Sequence, residues 1–416
     1  MTRTADIVIV GAGIAGVSAA YHLSVRHGID NVVLVDPRPP LTLTSDKSTE
    51  CYRNWWPNRP MVGLMNRSID VFEELAEEID FGFNRNGYLF VTRDGATLTE
   101  MAGQIEKVAA LGADAELLDA SDLRRDYGFL NPDSVGAVKV RRAGWLRAQD
   151  LGQWMLERAR DAGATLIPIA VTSITREGVE LSDGSRLAAP TKVLAAGPLS
   201  VEVGAMAGLE LPLFSELHLK VSFKDHLGVI PRTAPMTIWS DPQSIDWSQE
   251  ERLELEAMGR HDVLGEMPVF CHFRPEGGTE SPYFVALWEY HGAKIEPTWP
   301  LPEDPLYPEV VMRGLATMVP GLMVYLDRLP AAFVDGGYYT KTVENRPLIG
   351  PSGVEGVHLL AGLSGFGVMV SAGAADLLAR HIVGAELPDY APAFLLSRYE
   401  DPDYLPGLES ADSGQL

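Results

Sequence analysis

The first apolar run, "DIVIV" (Asp6–Val10), has no polar interruption after its opening acid. That predicts a strand buried on both faces of a parallel sheet. The glycine-rich "GAGIAG" follows. Next comes "VSAAYHLSVRHG", whose apolar spacing predicts a helix closed by Gly28. A second run, "NVVLVD" (Asn31–Asp36), predicts another buried strand that ends in an acid, completing one βαβ unit. Farther on, "LMNRSIDVFEELAEEID" near 64–80 alternates apolar and charged residues with helical period. "GYLFVTR" (Gly87–Arg93) predicts a strand, 97–111 a helix, and 144–163 a turn followed by a helix. "TLIPIAVTSITREG", "VELSDGSRL" and "KVLAAG" predict strands, with "SDGS" as a tight hairpin turn. From about 216 to 333 alternating strands and prolines dominate, "HLKVSF" and "YFVALWEYH" most clearly. The last part predicts a strand in "VHLLAG" and a glycine-entered helix in "LSGFGVMVSAGAADLLARHIVG". The end, "ESADSGQL", reads as a disordered tail.

Composition narrows the function classes. At 416 residues the chain has room for two or three domains, and its 46% hydrophobic content is ordinary globular usage. A net charge of −23 repels phosphate backbones and anionic bilayers, so no nucleic-acid partner is expected. The two cysteines, Cys51 and Cys271, are too few for a disulfide framework and suit a reducing cytoplasm. No export signal precedes the first strand, and no charge-free run of about 18 apolar residues predicts a membrane span. No H-x-x-x-H, C-x-x-C or carboxylate cluster suggests a metal, and no G-x-S-x-G elbow suggests a serine hydrolase.

The chemistry begins at Gly11, Gly13 and Gly16, a G-x-G-x-x-G between strand and helix, with Ile14 and Ala15 inside it. The first glycine permits the tight turn. The second lets the backbone approach a pyrophosphate, and the third lets helix pack on strand. The helix N-terminus then offers partial positive charge to the phosphates. Asp36, at the end of the second strand, can accept hydrogen bonds from ribose hydroxyls. This spacing identifies a dinucleotide site and leaves FAD and NAD open.

Three further segments carry a family resemblance. "KVLAAGPLS" (Lys192–Ser200) resembles the strand and turn that return to FAD in two-domain flavoproteins. "ENRPLIGP" (Glu344–Pro351) and "VHLLAGLSGFGVMVSAGAADLLA" (Val357–Ala379) resemble the C-terminal signature of the D-amino acid oxidase superfamily, which includes glycine oxidase and monomeric sarcosine oxidase. The resemblance implies an α/β protein: a Rossmann-like FAD-binding domain with a second α+β substrate domain built on an antiparallel sheet. The FAD domain would comprise 1–85, 145–215 and 334–395, the cover domain 86–144 and 216–333, and the C-terminal tail 396–416. Val171, Ala196 and Gly197 would join the fingerprint residues at a noncovalent FAD. So would Gly362, Gly365, Phe366, Gly367 and Val368. No second G-x-G-x-x-G is present, so a separate NAD(P)H domain is not expected.

The resemblance also implies a reaction. An amine or amino acid gives a hydride from its α-carbon to flavin N5, and water hydrolyses the imine. The protein supplies position, a dry pocket and a partner for the substrate carboxylate. Arg53 in "STECYRNWWPN" aligns with the arginine of sarcosine oxidase-like enzymes, with Trp55 and Trp56 as pocket wall or domain packing. "WEYHGAKIEP" resembles the strand that carries a tyrosine–histidine pair over the flavin, which assigns Tyr290 and His291 to catalysis and Trp288 to the pocket. The oxygen-activating lysine of that strand falls at Leu287, with Lys220 and Lys341 nearby. Tyr339 aligns with a tyrosine near the substrate, beside Tyr338 and Lys341. Arg346 either closes the pocket or pairs with Glu344. Gly336 and Gly337 stand where some relatives tether FAD through cysteine, and Cys51 lies in a segment through which other relatives tether it, usually by histidine. Met369 replaces a carboxylate-binding lysine and Phe366 a histidine, so the pocket is expected to be more apolar than that of sarcosine oxidase. His218, His272 and Arg274 lie on predicted cover strands and are further lining candidates. Oxidation of an N-substituted glycine or other secondary amine by oxygen is the leading expectation. The alternatives are a dehydrogenase serving a quinone or carrier protein, a hydroxy acid oxidase, and a protein whose FAD is only structural.

Overall fold

The computed structural model describes residues 2–408; the predicted disordered tail "ESADSGQL" lies outside them. A six-stranded sheet has the order Leu348–Pro351, Val357–Ala361, Thr191–Leu194, Ile7–Val10, Val32–Val35, Thr165–Ile167. All neighbours run parallel except Leu348–Pro351, which turns back antiparallel on Val357–Ala361. The strand period of two explains why these strands are apolar throughout. Ile7, Ile9, Val32 and Leu34 enter one core, among helices Ile14–Tyr21, Arg59–Leu75, Ala148–Asp161 and Gly367–Val383. Val8, Val10, Val33 and Val35 enter a second core, beneath the sheet formed by Thr2–Thr4, Arg186–Ala188, Gly178–Leu181 and Val171–Ile174.

Helix Arg59–Leu75 begins five residues before the predicted segment. Asn58 caps it by accepting from the Met61 amide at 3.1 Å, and Pro60 occupies its first turn. Ser364–Val383 is long and apolar enough to cross a bilayer by length and composition. In the fold it is a core element instead, packed against Ile14–Tyr21 and Arg59–Leu75. A Cβ on Gly373 would stand 2.5 Å from the Leu64 carbonyl, so the helix pair closes only with glycine there.

An eight-stranded sheet has the order Ala332–Lys341, Phe214–Lys224, Tyr283–Leu287, His272–Glu276, Met236–Trp239, Tyr88–Thr92, Gly136–Val140, Ala115–Asp119. It is antiparallel except where Met236–Trp239 runs parallel to Tyr88–Thr92. Helix Tyr307–Met318 and residues such as Trp239, Phe273 and Trp288 fill the core on one of its faces. The predicted strand "YFVALWEYH" ends early, at Leu287. The Trp288 amide donates to the Tyr307 hydroxyl at 3.1 Å rather than to a neighbouring strand, which takes the chain out of the ladder.

Candidate active site

The glycine turn opens a cleft of about 1040 Å³ at the carboxyl ends of the parallel strands. Gly11 has φ +111°, and a Cβ on it would lie 2.3 Å from the Ala195 carbonyl, so the turn and the second cofactor segment meet only through glycine. A Cβ on Gly16 would lie 2.0 Å from the Gly11 carbonyl, which gives it the helix-packing role expected of it. Asp36 holds the turn in place: its carboxylate accepts from the Ala12 and Arg38 amides, both at 2.9 Å, and still faces the cleft. Ser45 accepts from the Ile14 amide at 3.0 Å and ties the loop after the second strand to the helix N-terminus. Gly11, Gly13, Ile14, Ala15, Ala196 and Gly197 line the cleft, as do Gly362, Gly365, Gly367 and Val368. Such a long groove, with glycine backbone at a helix N-terminus and an acid at one end, fits a dinucleotide cofactor. Of the expected cofactor residues, Gly16 and Phe366 lie beside this lining. Val171 is the exception; it packs into the apolar core between the two sheets. Ser45, Lys47 and Ser48 also line the cleft, and no motif pointed to them.

A second chamber, of about 480 Å³, adjoins the cleft through the shared residues Ser48, Tyr339 and Gly365. Arg53, Tyr88, His272, Glu289, Phe366 and Met369 line it, with Cys51. Arg53 ends the short strand Cys51–Arg53, which pairs with Ala143–Trp145 and brings it to the chamber. Its side chain is buried; the guanidinium lies 4.7 Å from the Trp56 ring centre and 5.6 Å from that of Tyr88, and Nε donates to the Trp55 carbonyl at 3.2 Å. Burial lowers the Arg53 pKa from its ordinary value, but an arginine starts high enough to stay cationic. Trp56 packs edge-on against Phe366, 4.9 Å between centres, and Trp55 packs on Phe90, so both tryptophans support the chamber from outside its lining. Cys51 is buried, donates to the Thr49 carbonyl at 3.2 Å, and has its thiol pKa raised by burial.

Several expected residues lie elsewhere. Tyr290 and His291 do not reach the chamber: the Tyr290 hydroxyl donates to Asp304 at 2.9 Å and His291 Nε2 lies 3.0 Å from the same carboxylate, which Arg260 also holds at 2.8 Å. Trp288 is core, its indole N–H donating to the Pro268 carbonyl at 2.8 Å. Leu287 and Glu289 take the facing places, in the cleft and the chamber respectively, because the strand stops between them. Lys341 is paired with Glu216 at 2.6 Å, outside both linings. Arg346 donates to the Tyr404 hydroxyl at 3.0 Å; its expected partner Glu344 is held by Arg398 at 2.7 Å. Arg274 is buried against Thr49, Glu50 and Glu276.

Other candidates do reach the site. Tyr339 lines both spaces and stacks on His218, 3.8 Å between ring centres. His218 lines the cleft and His272 the chamber; burial holds the His272 pKa below its usual range. Lys220 lines the cleft on the strand next to Leu287, beside the ladder pair Val221 and Ala286, and donates to the Ser48 carbonyl at 3.0 Å. Among the described residues no group of three His, Cys, Asp or Glu side chains has a metal-holding arrangement.

The sequence model of the FAD dependent oxidoreductase family matches residues 6–381. The chain is 32% identical over 231 residues to the sarcosine oxidase subunit beta of Rhizobium meliloti (strain 1021), covering 51% of this chain and 54% of that protein. To the sarcosine oxidase subunit beta of Arthrobacter sp. it is 25% identical over 253 residues, covering 55% and 62%. The matched part thus spans less than two thirds of these relatives' length. The fold superposes on L-proline dehydrogenase from P. horikoshii with a TM-score of 0.79 at 20% identity, over 97% of this chain and 99% of the other.

Proposed function

This chain belongs to the FAD dependent oxidoreductase family, and on that premise we propose that it oxidises the C–N bond of a carboxylate-bearing amine. The substrate class is an amino acid, an N-substituted glycine or another secondary amine with a carboxylate. The observation that carries this reading is Arg53, a buried guanidinium in a chamber that opens on the glycine-lined cofactor cleft. The Gly11–Gly16 turn and Asp36 would hold FAD, and Gly362 to Val368 would border its reactive end. When bound, FAD supplies the acceptor for the α-hydrogen and its electron pair.

The chain's own residues do the rest. Arg53 binds both oxygens of a carboxylate through its planar fork, and its stack on Trp56 and Tyr88 fixes that fork's direction. Phe366, Met369 and Tyr88 exclude water, which strengthens the ion pair and keeps the substrate's α-carbon aimed at the cleft. The names of the sarcosine oxidase relatives agree with this substrate class. Oxygen is the proposed electron acceptor, because Lys220 places a cation in the cleft beside the position that Leu287 leaves apolar. Leu287 itself favours a second reading, a dehydrogenase serving a quinone or carrier protein.

Anaerobic titration of the holoenzyme with a panel of amines, amino acids and hydroxy acids tests both, followed by admission of air. Bleaching of the flavin band by a carboxylate-bearing amine, but not by its methyl ester, is expected. Bleaching by hydroxy acids alone, or by nothing, would refute C–N oxidation, and slow recovery in air would refute oxygen as acceptor.

A further inference from the structure

Arg53 accounts for one end of the chamber's ligand. The chamber also holds a carboxylate, Glu289, which no motif singled out. Glu289 ends an array of four charged side chains carried by three neighbouring segments. Lys341 Nζ lies 2.6 Å from Glu216 Oε2, Glu216 Oε2 lies 3.2 Å from His218 Nε2, and His218 Nδ1 lies 3.3 Å from Glu289 Oε1. His218 Nδ1 faces a single Glu289 oxygen, and a carboxylate has further lone pairs to offer a ligand. The ladder explains the array's order. Glu216 and His218 stand two apart on one face of Phe214–Lys224, which pairs with Ala332–Lys341, and Tyr339 from that strand stacks flat on His218. The stack and the Glu216 contact hold the imidazole facing Glu289 at the chamber wall.

The charges agree with this geometry. Burial alone pushes the Glu289 carboxyl up, but His218, His272 and Lys341 outweigh it and leave it below the usual carboxylate range. Burial alone would pull His218 down, but Glu289 and Glu216 outweigh that, and its pKa is raised. Glu289 also favours the cationic form of Arg53, so the two charges sense each other across the chamber. One wall of the site is therefore cationic with a planar fork, and another carries a carboxylate with acceptor capacity to spare. That is the complement of a zwitterion.

We propose that Glu289 is the amine-recognising residue of this chamber, accepting N–H from the substrate nitrogen while Arg53 holds the carboxylate, with His218 as its positioning residue. The inference rests on the amine-oxidation reading above and sharpens it. The ligand must carry a carboxylate and at least one N–H at its α-nitrogen. Primary and secondary α-amino acids satisfy this, and a quaternary amine gives Glu289 nothing to accept. A carboxylate lacking the amine leaves the half-buried Glu289 charge without a ligand partner.

The test uses the holoenzyme and two unreactive probes read by perturbation of the flavin absorption band. 2-Aminoisobutyrate is a zwitterion without an α-hydrogen and cannot be oxidised; isobutyrate is the same carboxylate without the amine. Wild-type protein is expected to bind the zwitterion at least about tenfold more tightly than isobutyrate, the effect of one charge-assisted contact in a dry site. Glu289→Gln should abolish the preference, and Glu289→Asp, one methylene shorter, should keep part of it. Arg53→Met should weaken both probes together. A wild-type protein with no preference overturns the proposal, as does a Glu289→Gln variant that retains it. Should Glu289→Gln not retain FAD, Glu289→Asp decides: an undiminished preference there also overturns it. Neither probe is a substrate, so these outcomes are separate from the bleaching assay, whose failure would instead remove the amine-oxidation reading.

Discussion

Replacing Arg53 by lysine or methionine tests the substrate anchor directly. Arg53 is buried, stacked on Trp56 and Tyr88, and lines the chamber. Truncating one partner of a buried ion pair costs about 3–5 kcal/mol, which at 1.4 kcal/mol per decade is about a hundredfold to a few thousandfold in Kd. Arg53→Met should show that full loss. Arg53→Lys keeps a charge but not the fork, so it should lose one charge-assisted bond, about 1.5–3 kcal/mol, or about tenfold to a hundredfold. The order wild type, lysine, methionine is therefore as informative as the size. The assay is the Kd of isobutyrate from the flavin absorption band, with anaerobic stopped-flow reduction by substrate as a second reading. The limiting reduction rate should fall less than affinity does in Arg53→Lys, because the carboxylate is bound in the ground state and the transition state alike. If both variants keep FAD and bind isobutyrate with the wild-type Kd, the carboxylate does not sit on Arg53 and the chamber must be read differently.

Three further outcomes follow from the same structure. Lys220→Met should slow reoxidation of the reduced protein by air by about tenfold to a hundredfold, a loss of about 1.5–3 kcal/mol of charge stabilisation in a partly enclosed cleft. Burial lowers the Lys220 pKa, so in wild type the oxygen reaction should fade as pH rises through that lowered value; a flat profile in wild type would contradict the role. Tyr290→Phe and His291→Gln should leave flavin reduction near wild type and lower Tm, because both side chains are spent on Asp304; a large loss of reduction rate would reverse their placement. Glu344→Gln should cost about 3–5 kcal/mol by stranding Arg398, measured by chemical denaturation at neutral pH. Burial alone would raise the Glu344 pKa, but Arg398 and Tyr399 hold it below its ordinary value. Its contribution is thus present above the unfolded pKa and lost as pH falls through the folded one, so the gap between variant and wild type should shrink in acid.

The βαβ unit, its glycine turn and Asp36 were legible in the sequence because they depend on local quantities. Strand and helix periods, the absence of Cβ at Gly11, and a fixed number of residues to the next strand end are all set within about thirty positions. The places of Arg53, Phe366 and Met369 beside the cofactor cleft were legible by alignment of short segments. Helix Gly367–Val383 was legible as a helix, but its composition alone could not separate a core helix from a spanning one; its packing against two other helices did.

What only the tertiary structure decided is which charged groups face the chamber. Side chains on a strand alternate faces, so the place where a strand ends selects one set of residues over its neighbours. The end at Leu287 depends on a hydrogen bond from Trp288 to Tyr307, nineteen residues away, and it admits Glu289 while sending Tyr290 and His291 to Asp304. Charge pairing was equally non-local: Glu344 chose Arg398 over Arg346, and Lys341 chose Glu216 over the pocket. Sequence spacing determined where a dinucleotide could bind, because that site is built mostly from short stretches of backbone. The chamber is built from side chains on segments as distant as Arg53 and Met369, and their meeting is a property of the packed fold.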